Sequence, residues 1–387
     1  MKKLLWPAMT LACVLNGACA QVPSRAWLAT ANDNKVELKA GSVAVRGSDN
    51  RDSVTLFDIS AGSPKLVARI EVGASVVGPP QSLAFAPDLS VLVVSAATRI
   101  DPADAAKVID GNSVSVIDLQ VTPPAVVQTL ATGPAPAGVA ISPDGKLVLV
   151  TTRTDSAINA FALENKRLRP LGRIALPSGA VPAGVAFTPD GKRALVTRDG
   201  DSLVTVLDIA DGNARLAGRD FATGVRPYGV HISPSGEWAI VGNVGRNQGD
   251  VDTITLVDMK APFPRSIYHA MVGRNVEGVA MSPDSRMVAA VVHDGSNRAP
   301  DWPMYKANGR VVLMKIEGGR LTPFAEAPIG AWSQAAAFSP DMKRLYVQNM
   351  VERNLQVFAI GPNGITDTGE RVALPGGGAA MAIGARQ

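Results

Sequence analysis

The chain is short of several residue types, and each shortage removes a class of function. Only two cysteines occur in 387 residues, Cys13 and Cys19, and both lie in the first twenty. The remainder can carry no disulfide, no thiolate metal site and no cysteine nucleophile. Histidine is nearly as scarce: His231, His269 and His293 are the only three, and they form no metal-spaced His/Cys set. Charged residues make up 19% of the chain and carry a net +4, with no dense run of Lys or Arg. That balance gives no signal for nucleic acid. HExxH, GxSxG and a phosphate-cradling glycine loop are all missing. The expectation is therefore no cofactor, no metal site and no catalytic residue recognisable from a motif.

What the chain does have begins with "MKKLLWPAMTLACVLNGACA". Lys2 and Lys3, an apolar run and the closing Ala18-Cys19-Ala20 form the three-part pattern of a secretory leader. This reading divides the chain into a signal peptide, 1–20, and a mature domain, 21–387, that starts at Gln21. Two rival readings stay open: a lipoprotein leader acylated at Cys19, from which Asn16 departs, and a buried N-terminal segment. The apolar run is short for a membrane span. Losing Lys2 and Lys3 takes the net charge from +4 to +2. The expected product is a periplasmic or secreted monomer with no transmembrane segment.

The mature chain repeats itself. "PAGVAISPDGKLVLVTTR" from Pro136 returns as "PAGVAFTPDGKRALVTRD" from Pro182. Looser copies begin at Pro80, Pro227, Val276 and Ser333. Their anchoring prolines, Pro87, Pro143, Pro189, Pro234, Pro283 and Pro340, are separated by 56, 46, 45, 49 and 57 residues. A period near 45 with insertions is the spacing of a repeat array. Within a unit, "GVAIS" alternates, Pro-Asp-Gly turns, "LVLVTT" runs apolar, and third and fourth strands follow. Proline presets its own dihedral and glycine accepts positive φ, so the pattern is hairpin chemistry. Four-stranded units at this period are the blades of an all-β propeller. Six units carry the proline. A seventh is assembled from both ends: "AAMAIG" (379–384) supplies a first strand, and "WLATA" (27–31), "SVTLFDI" and "KLVARIEV" supply the others. The expected fold is a seven-bladed β-propeller whose C-terminal strand closes the ring on the N-terminal blade.

The stretches "LYVQN…RNLQVFAI" and "LVTTRTDSAINAFAL" resemble the YVTN-repeat β-propellers. That resemblance covers the mature chain and implies an exported bacterial protein. The seven-bladed lactonases are related, and the propellers of cytochrome cd1 are similar in design. Asp58, Asp118, Asp208 and Asp258 match the family's third-strand Asp and are read as turn caps. The lactonases carry a histidine five residues before the anchoring proline. Here those positions are Ser82, Gly138, Gly184, Gly229, Gly278 and Ala335, and none is histidine.

In a propeller, the loops leading into first strands and those joining second to third strands share one face. That placement collects Gln81, Arg226, Tyr228, Arg274, Asn275, Glu277, Trp332 and Gln334 ahead of first strands. Arg153, Arg198, Asn243, His293 and Asn349 follow second strands, and Trp302 lies in a long loop at 293–309. The binding set drawn from these is Gln81, Arg226, Tyr228, Arg274, Asn275, Glu277, His293, Trp302, Trp332 and Gln334. Two guanidiniums near a central funnel favour an anion. The leading expectation is a non-catalytic scaffold that holds a small anionic molecule or a periplasmic partner protein. Two alternatives remain: a lactonase-like enzyme acting on a lactone or sugar-like substrate, and an accessory or redox-partner protein in a periplasmic cofactor system.

Overall fold

The computed structural model describes residues 25–47, 50–362 and 364–386. The leader read over residues 1–20 lies outside the described residues. Seven four-stranded antiparallel sheets surround an axis, and no helix occurs among the described residues. In blade 3 the strands Pro136–Ile141, Leu147–Thr152, Ala157–Glu164 and Arg167–Ala175 run from the axis outward. The second strand is buried at every position, whereas the outermost is largely exposed. Each blade is thus sandwiched between neighbours near the axis and wet at the rim.

The repeated Ser/Thr-Pro-Asp-Gly segment builds one turn many times. In blade 3, Ser142 Oγ donates to Asp144 Oδ1 at 2.5 Å and accepts from Leu147 N at 2.9 Å. Asp144 Oδ1 also accepts from Lys146 N, and Gly145 takes φ +74. Thr188, Asp190 and Gly191 repeat the arrangement in blade 4. Blades 6 and 7 keep the bonds but place Ser285 and Met342 in the left-handed position. Of the third-strand aspartates, Asp58, Asp118 and Asp258 accept backbone N–H bonds from two residues on. Asp208 instead faces Arg193 at 4.0 Å.

Ring closure takes the expected form. The C-terminal strand Gly377–Arg386 pairs with Arg25–Asp33, with Trp27 opposite Gly384 and Ala31 opposite Ala380. Ser53–Asp58 and Lys65–Glu71 complete this first blade. Each of the seven blade junctions holds an apolar cluster. Leu28, Phe57 and Met381 of blade 1 meet Tyr346, Leu355 and Val357 of blade 7. Val91 and Val93 of blade 2 meet Val148 and Val150 of blade 3. No blade could bury both faces alone.

Two segments outside the four-stranded blades form hairpins. Residues 97–112 belong to long strands, Val91–Asp101 and Asp104–Asp118, which pair beyond the blade as a hairpin. Within 32–52, Val36–Lys39 and Ser42–Val45 form a second hairpin. Asp, Ala and Lys dilute the alternation in both stretches, so residue preference alone reads as loop.

Closure generates the first prediction. Deleting residues 377–386 leaves an unpaired edge on Arg25–Asp33 and strips one wall from the cluster between blades 7 and 1. Soluble yield should fall, and the melting temperature should drop by on the order of 10 °C or more. Unchanged melting by calorimetry would contradict the closure.

Candidate functional site

The chain enters each first strand through a kink. Ala135, Val181, Arg226, Asn275 and Trp332 all adopt φ between +47 and +56, each eight residues before its anchoring proline. Such angles are strained for non-glycine residues, most of all for β-branched Val181. In blades 3 to 6 the kink is pinned by backbone bonds from the end of the second strand: Arg153 N to Ala135 O, Asp199 N to Val181 O, Val244 N to Arg226 O and His293 N to Asn275 O. Residues before first strands and residues after second strands therefore share one face around the axis.

The axis itself is nearly closed. Gln81 of blade 2 reaches blade 5, where its Nε2 donates to Val230 O at 2.7 Å and its Oε1 accepts from Val230 N at 2.9 Å. These blades are not neighbours, so the amide spans the centre. Gly184 is needed beside it, because a Cβ there would come within 2.6 Å of both Gln81 Oε1 and Tyr228 O. Hydroxyls stitch successive blades at this level: Ser95 Oγ, Thr151 Oγ1 and Thr197 Oγ1 donate to Ala137, Ala183 and Tyr228 carbonyls, each at 2.6 Å.

A charged cluster lies beside this closure. Asp199 is 4% exposed and binds two arginines. Its Oδ2 lies 2.6 Å from Arg153 Nη2, and its Oδ1 2.6 Å from Arg226 Nε. Burial alone would raise the Asp199 pKa, but the two guanidiniums outweigh it and hold the carboxyl below its usual range. The Arg153 guanidinium also sits 5.4 Å over the Tyr228 ring. Its Nη1 is buried and has no hydrogen-bond partner among the described residues.

Glu277 is the other unusual group. It is 8% exposed, and no hydrogen bond or ion pair from the described residues engages its carboxyl. Burial pushes its pKa up to about 8; nearby Arg226 and Arg153 pull it down, and Asp199 pushes it further up. Both guanidiniums are bonded to Asp199 and only partly offset the burial, so Glu277 is a neutral acid at neutral pH. Burial also raises the Tyr228 pKa, so its phenol stays protonated.

Three other expected residues present buried acceptors without partners. His293 Nε2 donates to Ser333 O at 2.8 Å, leaving Nδ1 as an unpaired acceptor. Burial pushes the His293 pKa down to about 4, so the ring is neutral. Gln334 Oε1 and Asn275 Oδ1 are likewise buried and unpaired. No group of His, Cys, Asp and Glu able to hold a metal ion occurs among the described residues.

Arg274, Trp302 and Trp332 do not join the Arg226 cluster. Arg274 turns to Gly249 O and Asp294. Trp302 lies 5.4 Å beneath the Arg298 guanidinium and close to Gly249. The Trp332 backbone N–H donates to Ser296 Oγ, and its side chain packs on the cluster between blades 1 and 2. The sequence reading missed Asp199, which lies one residue beyond Arg198 in the loop after a second strand. Arg153 was visible in the matching loop of blade 3, but nothing there signalled that the two side chains meet. A groove of about 1050 Å³ lies away from the axis, between the 36–45 hairpin and the 98–110 hairpin.

The family model described as "Lactonase, 7-bladed beta-propeller" matches residues 107–224. A putative 6-phosphogluconolactonase from Bacteroides fragilis superposes with a TM-score of 0.70 at 16% identity, covering 94% of this chain and 99% of that one. A functionally unknown protein from Desulfotomaculum acetoxidans gives 0.67 at 18% identity, covering 93% and 99%. Hydrazine synthase of Kuenenia stuttgartiensis gives 0.59 at 17% identity, covering 78% and 88%. No curated protein matches. These likenesses establish the class as a seven-bladed β-propeller.

The shared carboxylate generates the second prediction. Asp199→Asn strands two cations against each other, one of them well buried. Breaking a buried pair costs about 3–5 kcal/mol, and the part-exposed Arg226 lowers that to about 2–4. Urea unfolding should show this loss, whereas a loss below about 0.5 kcal/mol would mean the contacts are not held in solution.

Proposed function

We propose that the axial face binds a small, oxygen-rich anion such as a hydroxylated carboxylate. The observation that carries this reading is Arg153 Nη1, a buried guanidinium donor with nothing to bind. Leaving such a donor unpaired costs free energy that a carboxylate can recover. Asp199 holds the Arg153 and Arg226 planes, and planar guanidinium pairs suit carboxylates. With Glu277 neutral, Arg153, Arg226 and Asp199 sum to +1. The unpaired acceptors on His293, Asn275 and Gln334 suit ligand hydroxyls. The leader pattern supports a periplasmic or secreted setting for this binding.

One observation favours a second reading, hydrolysis of a lactone. Glu277 is a buried, unpaired acid whose pKa of about 8 is close to neutral pH, which suits proton transfer. Water would add to the ester carbonyl while the arginines stabilise the oxyanion. Glu277 would give its proton to the ring oxygen as the C–O bond breaks and regain one from the added water. The partial match to a lactonase model and the likeness to a putative 6-phosphogluconolactonase support this reading.

Gluconate and galacturonate titrations, with a panel of sugar lactones, test both. Binding should weaken at least tenfold in Arg153→Ala and Arg226→Ala, from about 1.5–3 kcal/mol per charge-assisted bond. It should also weaken as pH rises through about 8, where Glu277 ionises and repels the anion. Lactone turnover should disappear in Glu277→Gln while acid binding persists. Equal binding by both arginine variants and wild type overturns the anion site; turnover unchanged in Glu277→Gln overturns the hydrolytic role.

A further inference from the structure

A second cation cluster lies outside the axial site. On the same face, between blades 5 and 6, a cleft of about 450 Å³ is lined in part by Arg274, Lys306 and Arg310. All three converge on Asp294, whose side chain is 6% exposed. Lys306 Nζ lies 2.7 Å from Asp294 Oδ2, Arg310 Nε 3.4 Å from that oxygen, and Arg274 Nη1 3.4 Å from Oδ1. Burial would raise the Asp294 pKa, but the Lys306 hydrogen bond and the charges of Arg310 and Lys306 hold it below the usual carboxylate range.

The charges do not balance. Arg310 also bonds Glu326 Oε2 at 2.6 Å and Val272 O at 2.7 Å, while its buried Nε finds no hydrogen-bond partner among the described residues. Arg274 spends one further donor on Gly249 O. Three cations then face two carboxylates, Asp294 and Glu326, and unspent donors remain on Arg274, Lys306 and Arg310. The same cleft exposes apolar surface: Met271 is 75% exposed and Val251 53%. An apolar group laid over Met271 and Val251 would remove that surface from water, which is favourable.

We propose that this cleft binds a small amphiphilic anion, its carboxylate head on Arg274 and Lys306 and a short alkyl tail over Met271 and Val251. Asp294 is the positioning residue: it fixes both head-group cations before any ligand arrives, which lowers the ordering cost of binding. A flexible thioether adapts to tails of different length. The site shares no residue with Arg153, Arg226 or Glu277, so it stands or falls apart from the axial reading.

Octanoate is the probe, with inorganic phosphate as the comparison, titrated into methyl-¹³C-methionine protein and followed by NMR and calorimetry. Octanoate should shift the Met271 methyl. Lys306→Gln should weaken the binding read at the Met271 methyl about tenfold. Phosphate should bind at least tenfold more weakly than octanoate, since it cannot cover Met271. Three results would each overturn the proposal: a Met271 methyl indifferent to millimolar octanoate, binding untouched by Lys306→Gln, or phosphate binding as tightly as octanoate.

Discussion

Each blade presents two apolar faces, and the burial of those faces against neighbouring blades is the constraint on which everything else rests. The seven junctions each hold their own cluster, from Val91 and Val93 against Val148 and Val150 to Leu28 and Phe57 against Tyr346. A ring satisfies the constraint at every junction only when it closes. Both ends of the chain therefore contribute to one blade, and Arg25–Asp33 pairs with Gly377–Arg386 across more than 340 positions of sequence.

Closure brings residues far apart in the sequence to the axis. The left-handed kinks at Ala135, Val181, Arg226, Asn275 and Trp332 turn the loops inward, and Gln81 crosses from blade 2 to blade 5. Charges gathered in so small a space must be allotted. Asp199 takes Arg153 and Arg226, and Glu277 is left without a cation. Two carboxyls within one cluster thus differ in state: one is held ionised by two guanidiniums, the other is neutralised by burial. Divergent pairs of this kind are where proton chemistry and ligand recognition concentrate. Asp294 shows the same allotment farther from the axis, with three cations on one buried carboxylate.

The repeat made the fold legible in the sequence. Pro-Asp-Gly turns, alternating strands and unmatched half-blades at the two ends lead directly to seven blades and their closure. The axial face was legible too, because position within the repeat places Gln81, Tyr228, Glu277 and Gln334 on it. Pairing was not legible. Asp199 follows Arg198 with no mark to show that it binds Arg153 in the preceding blade and Arg226 in the next, since such contacts depend on how loops of adjacent blades lean together. Arg274 and Arg226 occupy equivalent positions in neighbouring blades, yet Asp294 draws one outward and Asp199 holds the other at the axis. The hairpins at 36–45 and 98–110 were not legible for another reason: within each, the pairing of its own two strands outweighs weak residue preference.

The central claim is that burial makes Glu277 a neutral acid at neutral pH, with Arg153 and Arg226 bound to Asp199 rather than to it. A ¹³C NMR titration of the Glu277 side-chain carboxyl, assigned by loss of its signal in Glu277→Gln, tests this most directly. The account predicts a protonated carboxyl at pH 6 that ionises near pH 8. A carboxyl already ionised at pH 6, with a midpoint near the ordinary 4.5, would contradict it.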